Sequence, residues 1–312
     1  HKRAFGSDTV PGCYEDLEIA DLVILTGSNT AWCHPILFQR IKAAKQQRPQ
    51  MKVVVIDPRE TATCEIADLH LPLQPGTDVK LFNGLLHYLA QQNALDSTYI
   101  EQHTDGFAEA LQLARGDAPS VDFVAHACDL PAENVQRFYD WFARTTRTVT
   151  CFSQGVNQSS SGTDKVNAII NCHLATGRIG RPGMGPLSFT GQPNAMGGRE
   201  VGGLANALAC HLDLANAEHR AQVAQFWGSG PIGERPGLKA VDLFRAIEAT
   251  AAELLPGVPV ATGLSAGATD RPTYAAAGLT ADGLNPCLIP IEQNRYQIHG
   301  NDERISVANV GF

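Results

Sequence analysis

Leu22-Val23-Ile24-Leu25, closed by Gly27-Ser28-Asn29, and Met51-Lys52-Val53-Val54-Val55-Ile56, closed by Asp57-Pro58, are the two segments on which the fold turns. The first is a short apolar run and the second is rich in β-branched residues. Each reads as a buried parallel strand with a turn at its carboxyl end. Between them, Pro35 to Gln47 carries Ile36, Leu37, Phe38 and Ile41 alongside Lys42 and Lys45, the pattern of a helix. Strand, helix and strand make one βαβ unit, expected to be right-handed with its loops at the strand carboxyl ends.

Working outward, Leu69 to Leu73 alternates as a third strand, and Gln74-Pro75-Gly76-Thr77-Asp78 turns into a helix over Val79 to Gln92. Helical stretches run on to about Arg144. A strand over Thr146 to Phe152, a glycine-bearing loop over Ser153 to Gly162 and a helix over Thr163 to Thr176 follow. From Gly177 to Gly203 glycine is so frequent that no packed element is expected. Such a run suits backbone that must approach a bulky ligand. Near residue 245 the character changes. Arg245 to Leu255 reads as a helix, Pro256-Gly257-Val258-Pro259 breaks it, and a short βαβ-like piece follows, with Val260 to Thr262 as strand and Thr273 to Ala277 as helix. The expected class is α/β, an open and mostly parallel doubly wound sheet with a short α/β C-terminal segment.

Composition bounds the function. A chain of 312 residues suggests about two domains. With 44% hydrophobic and 18% charged residues it is globular rather than disordered. Twenty-four Lys and Arg against 32 Asp and Glu give a net charge of −8, which argues against a nucleic-acid partner. No apolar run approaches the ~20 residues of a membrane helix, and no signal-peptide pattern is present, so a cytoplasmic protein is expected. The eight cysteines are scattered without a C-x-x-C pair, so a local thiolate cluster for iron–sulfur or zinc is not expected. They read as reduced core residues. The chain opens on His1-Lys2-Arg3 rather than Met, which suggests a piece of something longer.

Three strand-end loops concentrate the chemistry: Gly27-Ser28-Asn29, Asp57-Pro58-Arg59-Glu60-Thr61 and Pro75-Gly76-Thr77-Asp78. A doubly wound sheet opens all three on one edge, where nucleotides bind. Asp57, ending the second strand, is placed to accept from ribose hydroxyls. Asp78, an acceptor-only group, can take two parallel hydrogen bonds from the N1–H and N2–H2 edge of guanine. Gly27 and Gly76 would let backbone N–H groups approach a pyrophosphate. A plainer alternative is that Gly-Thr-Asp only starts a helix, with Thr as the cap and Asp in the first turn, as also read for Thr163-Asp164. No G-x-G-x-x-G follows the first strand, which argues against ordinary NAD binding.

Further along, Gly177-Arg178-Ile179-Gly180-Arg181-Pro182-Gly183 and Gly191-Gln192-Pro193-Asn194-Ala195-Met196-Gly197-Gly198-Arg199 alternate glycine with amide and guanidinium groups. That mixture suits a large polar heterocycle carrying phosphates. Together with Ile56-Asp57-Pro58-Arg59 and Gly155-Val156-Asn157-Gln158, these ordered motifs closely resemble the molybdopterin oxidoreductases of the DMSO-reductase type. Within that family the likeness is nearest to assimilatory nitrate reductase catalytic subunits, with formate dehydrogenase next, over about residues 1–245.

The resemblance implies a region that holds molybdenum in molybdopterin guanine dinucleotide. By it, Gly27, Ser28, Asn29, Asp57, Gly76 and Asp78 line a guanine dinucleotide. Gly155, Gln158, Gly191 and Asn194 face the pterin and metal, and Met196 and Arg199 sit at the substrate approach. Nitrate is a planar anion that a guanidinium meets with paired donors. The resemblance also implies an electron-donor protein or domain. None of the eight cysteines stands in a matching metal-ligand context, and the iron–sulfur and C-terminal segments of the family are not matched. The expectation is therefore an incomplete molybdenum site and an inactive fragment.

Residues from about 248 to 312 are similar instead to the C-terminal end of dinuclear-zinc peptidases of family 20, on Ser265-Ala266-Gly267-Ala268-Thr269-Asp270 and His299-Gly300-Asn301-Asp302-Glu303-Arg304-Ile305. That likeness implies His299 as a zinc ligand. A zinc site needs three or more protein ligands, and the remaining ligand segments are missing. The chain thus reads as chimeric, with a nitrate-reductase-like region at 1–245 and a metallopeptidase-like segment at 246–312. A zinc-dependent amidohydrolase fragment and a non-catalytic α/β scaffold are the alternative functions.

Overall fold

A computed structural model describes residues 1–6, 10–189, 198, 200–202, 208–238, 240–254 and 256. The candidates Gly191, Asn194, Met196, Arg199 and His299 lie outside the described residues, as does the metallopeptidase-like piece beyond residue 257. The chain divides into two compact units, His1–Met196 and Gly197–Phe312.

The first unit is built on five parallel strands: β1 (Leu22–Thr26), β2 (Lys52–Ile56), β3 (Leu69–Leu71), β4 (Thr148–Phe152) and β5 (Gly185–Ser188), in the spatial order β3-β2-β1-β4-β5. Leu22 pairs with Lys52 on one side and with Thr148 on the other, so β1 is central. Side chains alternate cleanly between the two faces. Leu22, Ile24, Val54 and Ile56 enter one core, and Val23, Leu25, Val53 and Val55 enter the other. Both faces of β1 are therefore fully buried, which is why its sequence is an unbroken apolar run instead of an alternating one.

Helix α1 (Pro35–Gln47) covers the second face through Leu37, Phe38, Ile41 and Ala44. The opposite face is covered by α2 (Asp78–Gln91), α3 (Phe107–Asp117), α4 (Val121–Cys128), α5 (Ala132–Arg144) and α6 (Gly162–Ala175). The step from β1 to β2 runs through α1 and the step from β4 to β5 through α6. Right-handed crossovers travelling in opposite directions from the middle of the sheet must use opposite faces. The result is a switch point between β1 and β4, where the chain leaves the two strands in opposite directions.

Two packing details could not be read from periodicity. Gly84 sits inside α2, where a glycine costs about 1 kcal/mol relative to Ala. A Cβ there would lie 2.5 Å from the Tyr139 hydroxyl and 2.6 Å from Val124 Cγ2, so the gap admits α4 and α5 against α2. The Tyr139 hydroxyl then donates to the Leu81 carbonyl at 2.5 Å, satisfying a fully buried phenol. The glycine-rich stretch is also not free of packed structure, contrary to expectation. Within it, β5 adds to β4 from Val149↔Gly185 to Phe152↔Ser188, and Leu187 and Phe189 are buried.

Arg178, grouped by sequence with the heterocycle-facing residues, is buried at the opposite task. Its Nη1 donates to the Phe142 carbonyl at 2.8 Å, and its guanidinium lies 4.7 Å from the Phe142 ring centroid. A cation at the carboxyl end of α5 satisfies an otherwise orphan carbonyl and complements the helix dipole. Burial lowers its pKa to about 10. Gly177 before it adopts φ +63°, and a Cβ there would meet Asp96 Oδ2 at 2.5 Å.

The boundaries of α1 and α2 agree with the sequence reading to within one residue, whereas the helix expected over Arg245 to Leu255 begins five residues earlier, at Ala240. Helix α6, however, begins at Gly162, one residue before the expected Thr163, and Ser161 occupies the cap position. Of the described cysteines, Cys128, Cys151 and Cys172 are buried and none is paired; Cys13, Cys33 and Cys210 are exposed. No described helix is long and apolar enough to cross a membrane. In the second unit, Ala217–Trp227 is a helix whose cap Asn216 accepts from Glu218 N and His219 N, and Ala240–Leu254 forms another. Leu208, Ala209 and Val223 form its small core.

His173 on α6 is fully buried, with Nε2 2.8 Å from Thr150 Oγ1. Burial, helped by the nearby Arg178 charge, holds its pKa well below the usual imidazole range. The unfolded chain protonates this residue below about pH 6.5, whereas the folded chain does not. Its contribution is thus present above the unfolded pKa and is lost as pH falls toward the folded one. His34 behaves likewise through partial burial. Urea unfolding between about pH 6.5 and pH 5 should show stability falling by up to about 1.4 kcal/mol per pH unit for His173. The His173→Gln variant should fall less steeply than the wild type, and equal slopes would refute the assignment.

Candidate functional site

The carboxyl ends of β1 and β4 diverge at the switch point, and two glycines make that divergence possible. Gly155 N–H donates to the Gly27 carbonyl at 3.0 Å. A Cβ on Gly27 would lie 2.7 Å from Val156 N, and one on Gly155 would lie 2.7 Å from Gly27 Cα and Gly27 O. Gly27 also takes φ +55°, the left-handed region. Backbone therefore meets backbone here. Gly27 N–H is itself engaged by the Ile56 carbonyl at 2.9 Å. Its lack of a side chain lets the ends of the two strands touch.

Beyond the glycines, hydroxyls close the turn. Ser153 Oγ lies 2.9 Å from the Phe189 carbonyl and 3.0 Å from Ser28 Oγ, and Ser28 Oγ lies 3.0 Å from Thr30 Oγ1. A carbonyl only accepts. Ser153 Oγ is the donor in both of its contacts, and in the Ser28–Thr30 pair either hydroxyl can donate, with Thr30 Oγ1 also 3.4 Å from the Ser28 carbonyl. All three hydroxyls are buried and hydrogen-bonded within the chain. Ser28 thus ties the ends of β1, β4 and β5 together, and Ser153 and Thr30 are partners that the sequence motifs did not reveal.

Asn29 is partly exposed, and its Oδ1 lies 3.1 Å from Thr63 Oγ1. Asp57, ending β2, is buried; its Oδ1 accepts from Arg59 N at 2.9 Å and its carbonyl faces His70 Nε2 at 2.9 Å. Gln158 is exposed at the end of the short helix Gln154–Asn157. Gly76 is exposed with φ +93° and nothing within 4 Å of a Cβ. The β1, β2 and β4 ends therefore bring Gly27, Ser28, Asn29, Asp57, Gly155 and Gln158 to one edge of the sheet.

Asp78 has a different setting. It starts α2, as the plainer alternative held, although the Thr77 hydroxyl turns back to the Gln74 carbonyl at 2.7 Å instead of capping the helix. Its Oδ2 pairs with Lys165 Nζ at 2.8 Å, and both side chains are nearly buried. Lys165 lies in the first turn of α6, where a helix dipole disfavours a cation. Asp78 supplies the compensating charge, and breaking such a buried pair typically costs about 3–5 kcal/mol. One carboxylate oxygen is therefore committed inside the protein. Nothing local in the sequence announced Lys165 as its partner.

The polar edge also has buried groups without partners. Thr26 Oγ1 at the end of β1, Thr61 Oγ1 after β2 and His34 Nε2 after β1 have no hydrogen-bond partner. Buried polar atoms are normally satisfied, so three orphans near one sheet edge fit a polar ligand there. The His34 ring also stacks on Phe189, with centroids 5.2 Å apart. For a metal, the described residues contain no group of three or more His, Cys, Asp or Glu.

Residues 2–257 match the family model of the molybdopterin oxidoreductases. The chain belongs to that family. Among curated relatives, it is 52% identical to a nitrate reductase of Klebsiella oxytoca, over 79% of this chain and 28% of that protein. It is 50% identical to a nitrate reductase of Shewanella frigidimarina, over 79% of this chain and 26% of the relative. With the assimilatory nitrate reductase catalytic subunit of Bacillus subtilis it shares 34% identity over 72% of this chain and 31% of the other. The chain thus spans between about a quarter and a third of the length of these relatives. Among solved structures, acetylene hydratase from Pelobacter acetylenicus aligns with a TM-score of 0.49 at 24% identity, over 56% of this chain and 23% of that one. Membership of a molybdopterin oxidoreductase family implies a molybdenum–pterin cofactor.

The switch-point glycines give a direct test of this geometry. Gly27→Ala should destabilise the protein by about 2 kcal/mol or more, since the added carbon meets backbone that cannot rotate away. Gly76→Ala, in open space, should cost only the left-handed backbone penalty of about 1–2 kcal/mol. Thermal or denaturant unfolding compares the two, and an equal or smaller loss at Gly27 contradicts the backbone-contact reading.

Proposed function

We propose that this chain supplies the cofactor-binding α/β region of a molybdenum nitrate reductase catalytic subunit, with the β1–β4 switch point holding the nucleotide end of a molybdopterin guanine dinucleotide. The observation that carries the proposal is the convergence of Gly27–Asn29, Asp57 and Ser153–Gln158 on one sheet edge, in a chain half identical to nitrate reductases. Asp57 is positioned as expected of a ribose-binding carboxylate at the end of a second strand, with Oδ2 for the ribose because Oδ1 holds Arg59 N. Asn29 and Gln158 contribute amides at the partly open edge. Gly76 and the exposed turn around it would let the ligand lie close to the start of α2.

When bound, the cofactor supplies a molybdenum centre able to exchange an oxygen atom and two electrons with nitrate. In this reading Gly191 and Asn194 lie along the pterin, and Arg199 meets the planar anion with paired donors beside Met196. An electron-donor protein or domain completes the partners.

Isothermal titration with guanosine diphosphate tests the nucleotide part. Binding is expected, weakened about tenfold or more by Asp57→Asn and to a similar degree by removing the ribose 2′-hydroxyl. No binding to the wild type overturns the nucleotide reading. The nitrate part is tested by transplanting residues 2–257 into the Klebsiella oxytoca enzyme in place of its matching segment. Nitrate-dependent oxidation of reduced viologen should persist. A hybrid that retains molybdenum but turns over no nitrate overturns the substrate assignment.

A further inference from the structure

The Asn29 carboxamide can be oriented from its surroundings. Its partner Thr63 is completely buried and lies in the short helical turn Ala62–Ile66 that follows β2. Thr63 Oγ1 accepts from Ala31 N at 3.1 Å, so one lone pair is occupied by a group that can only donate. Its single proton then has one partner, the Asn29 side-chain oxygen at 3.1 Å. The opposite amide orientation would set Asn29 Nδ2 against Thr63 as a second donor and leave a buried hydroxyl proton unpaired, which is unfavourable. Oxygen therefore faces Thr63, and the amide nitrogen faces away from it.

The neighbouring hydroxyls sharpen the consequence. Ser28, Thr30 and Ser153 are hydrogen-bonded to one another and to the Phe189 carbonyl, and Gly27 N–H is held by Ile56. On the β1 turn, the side chain with N–H donors still to give is Asn29, which is also partly exposed. We propose that Thr63 is a positioning residue for the nucleotide site: it fixes the Asn29 amide so that Nδ2 donates to an acceptor oxygen of the bound nucleotide. Thr63 acts through Asn29 and touches no ligand itself. This inference rests on the nucleotide reading above, and it adds a residue from a different loop, 34 positions away in sequence.

The test is a double-mutant cycle on affinity for guanosine diphosphate, read by titration well below each variant's unfolding temperature. Thr63→Val keeps the shape and removes the proton; affinity should fall about tenfold, the scale of one oriented hydrogen bond. Thr63→Ser keeps the hydroxyl and should restore affinity to within about twofold of wild type. Asn29→Ala should fall at least as far as Thr63→Val, and adding Thr63→Val to Asn29→Ala should cost nothing further. A merely structural role for Thr63 would instead lower affinity in both backgrounds, and Thr63→Val binding as wild type does would also overturn the proposal. Guanosine serves as the second probe. A Thr63→Val penalty seen with the diphosphate but not with guanosine assigns the acceptor to phosphate, and an equal penalty with both assigns it to the nucleoside. If the wild-type protein does not bind guanosine diphosphate, this inference and the nucleotide reading fall together. If it binds but ignores both substitutions, only this inference falls.

Discussion

The contact between Gly27 and Gly155 is the constraint on which the first unit depends. Two strands that run side by side for five residues must part at their carboxyl ends, and their backbones touch as they do. Any side chain at either position would push the turns apart. The hydroxyl chain through Ser28 and Ser153 and the alignment of Phe189 beside Phe152 both require those turns to stay together. The site is therefore formed by close approach of main chain first, with side chains arranged around it. This order explains why its polar groups are so heavily committed to one another. A crevice built from flexible loops would leave hydroxyls free; here they hold the crevice in place and leave few groups to meet a ligand.

Burial of charge follows the same economy. Asp78 and Lys165 place opposite charges at the starts of α2 and α6, where those helices pack together on one face of the sheet. Arg178 has no such carboxylate among the described residues and is accommodated by an aromatic ring and a helix-terminal carbonyl. Both residues lie in motifs that read from sequence as ligand-facing. In the fold, Asp78 also joins two helices and Arg178 ends a third.

Much of the frame was legible before any coordinates. The apolar run Leu22–Leu25 and the β-branched run before Asp57 are unambiguous because a strand buried on both faces admits few other sequences. Helix α1 was read over the same residues that it occupies. What escaped the reading was non-local. β5 is held by β4 rather than by its own propensity, so its glycine and proline concealed it. Gly84 is explained only by Tyr139, 55 positions later, and Thr63 only by Asn29. That Asp57, Asn29 and Gln158 share one edge is legible from position, since parallel strand ends converge whatever their side chains do. The hydrogen bonds of Ser28 to Ser153 and Thr30 are likewise invisible to a motif, which shows which residue is present but not what its hydroxyl meets.

The strand order also governs how the edge is assembled in time. β1 meets β2 after an intervening stretch of about two dozen residues, but its other neighbour, β4, lies more than 120 residues along the chain. Pairings at such separation close large loops and form slowly relative to local ones. During synthesis the centre of the sheet is therefore an open edge, with unpaired amides and carbonyls, until residues 148–152 emerge and dock. The α2–α5 region, which is made in that interval, can cover the apolar face but cannot cap that edge. Gly27, Ser28 and their partners across the switch point come together only when β4 docks, and the Ser153–Phe189 bond must wait further, for β5.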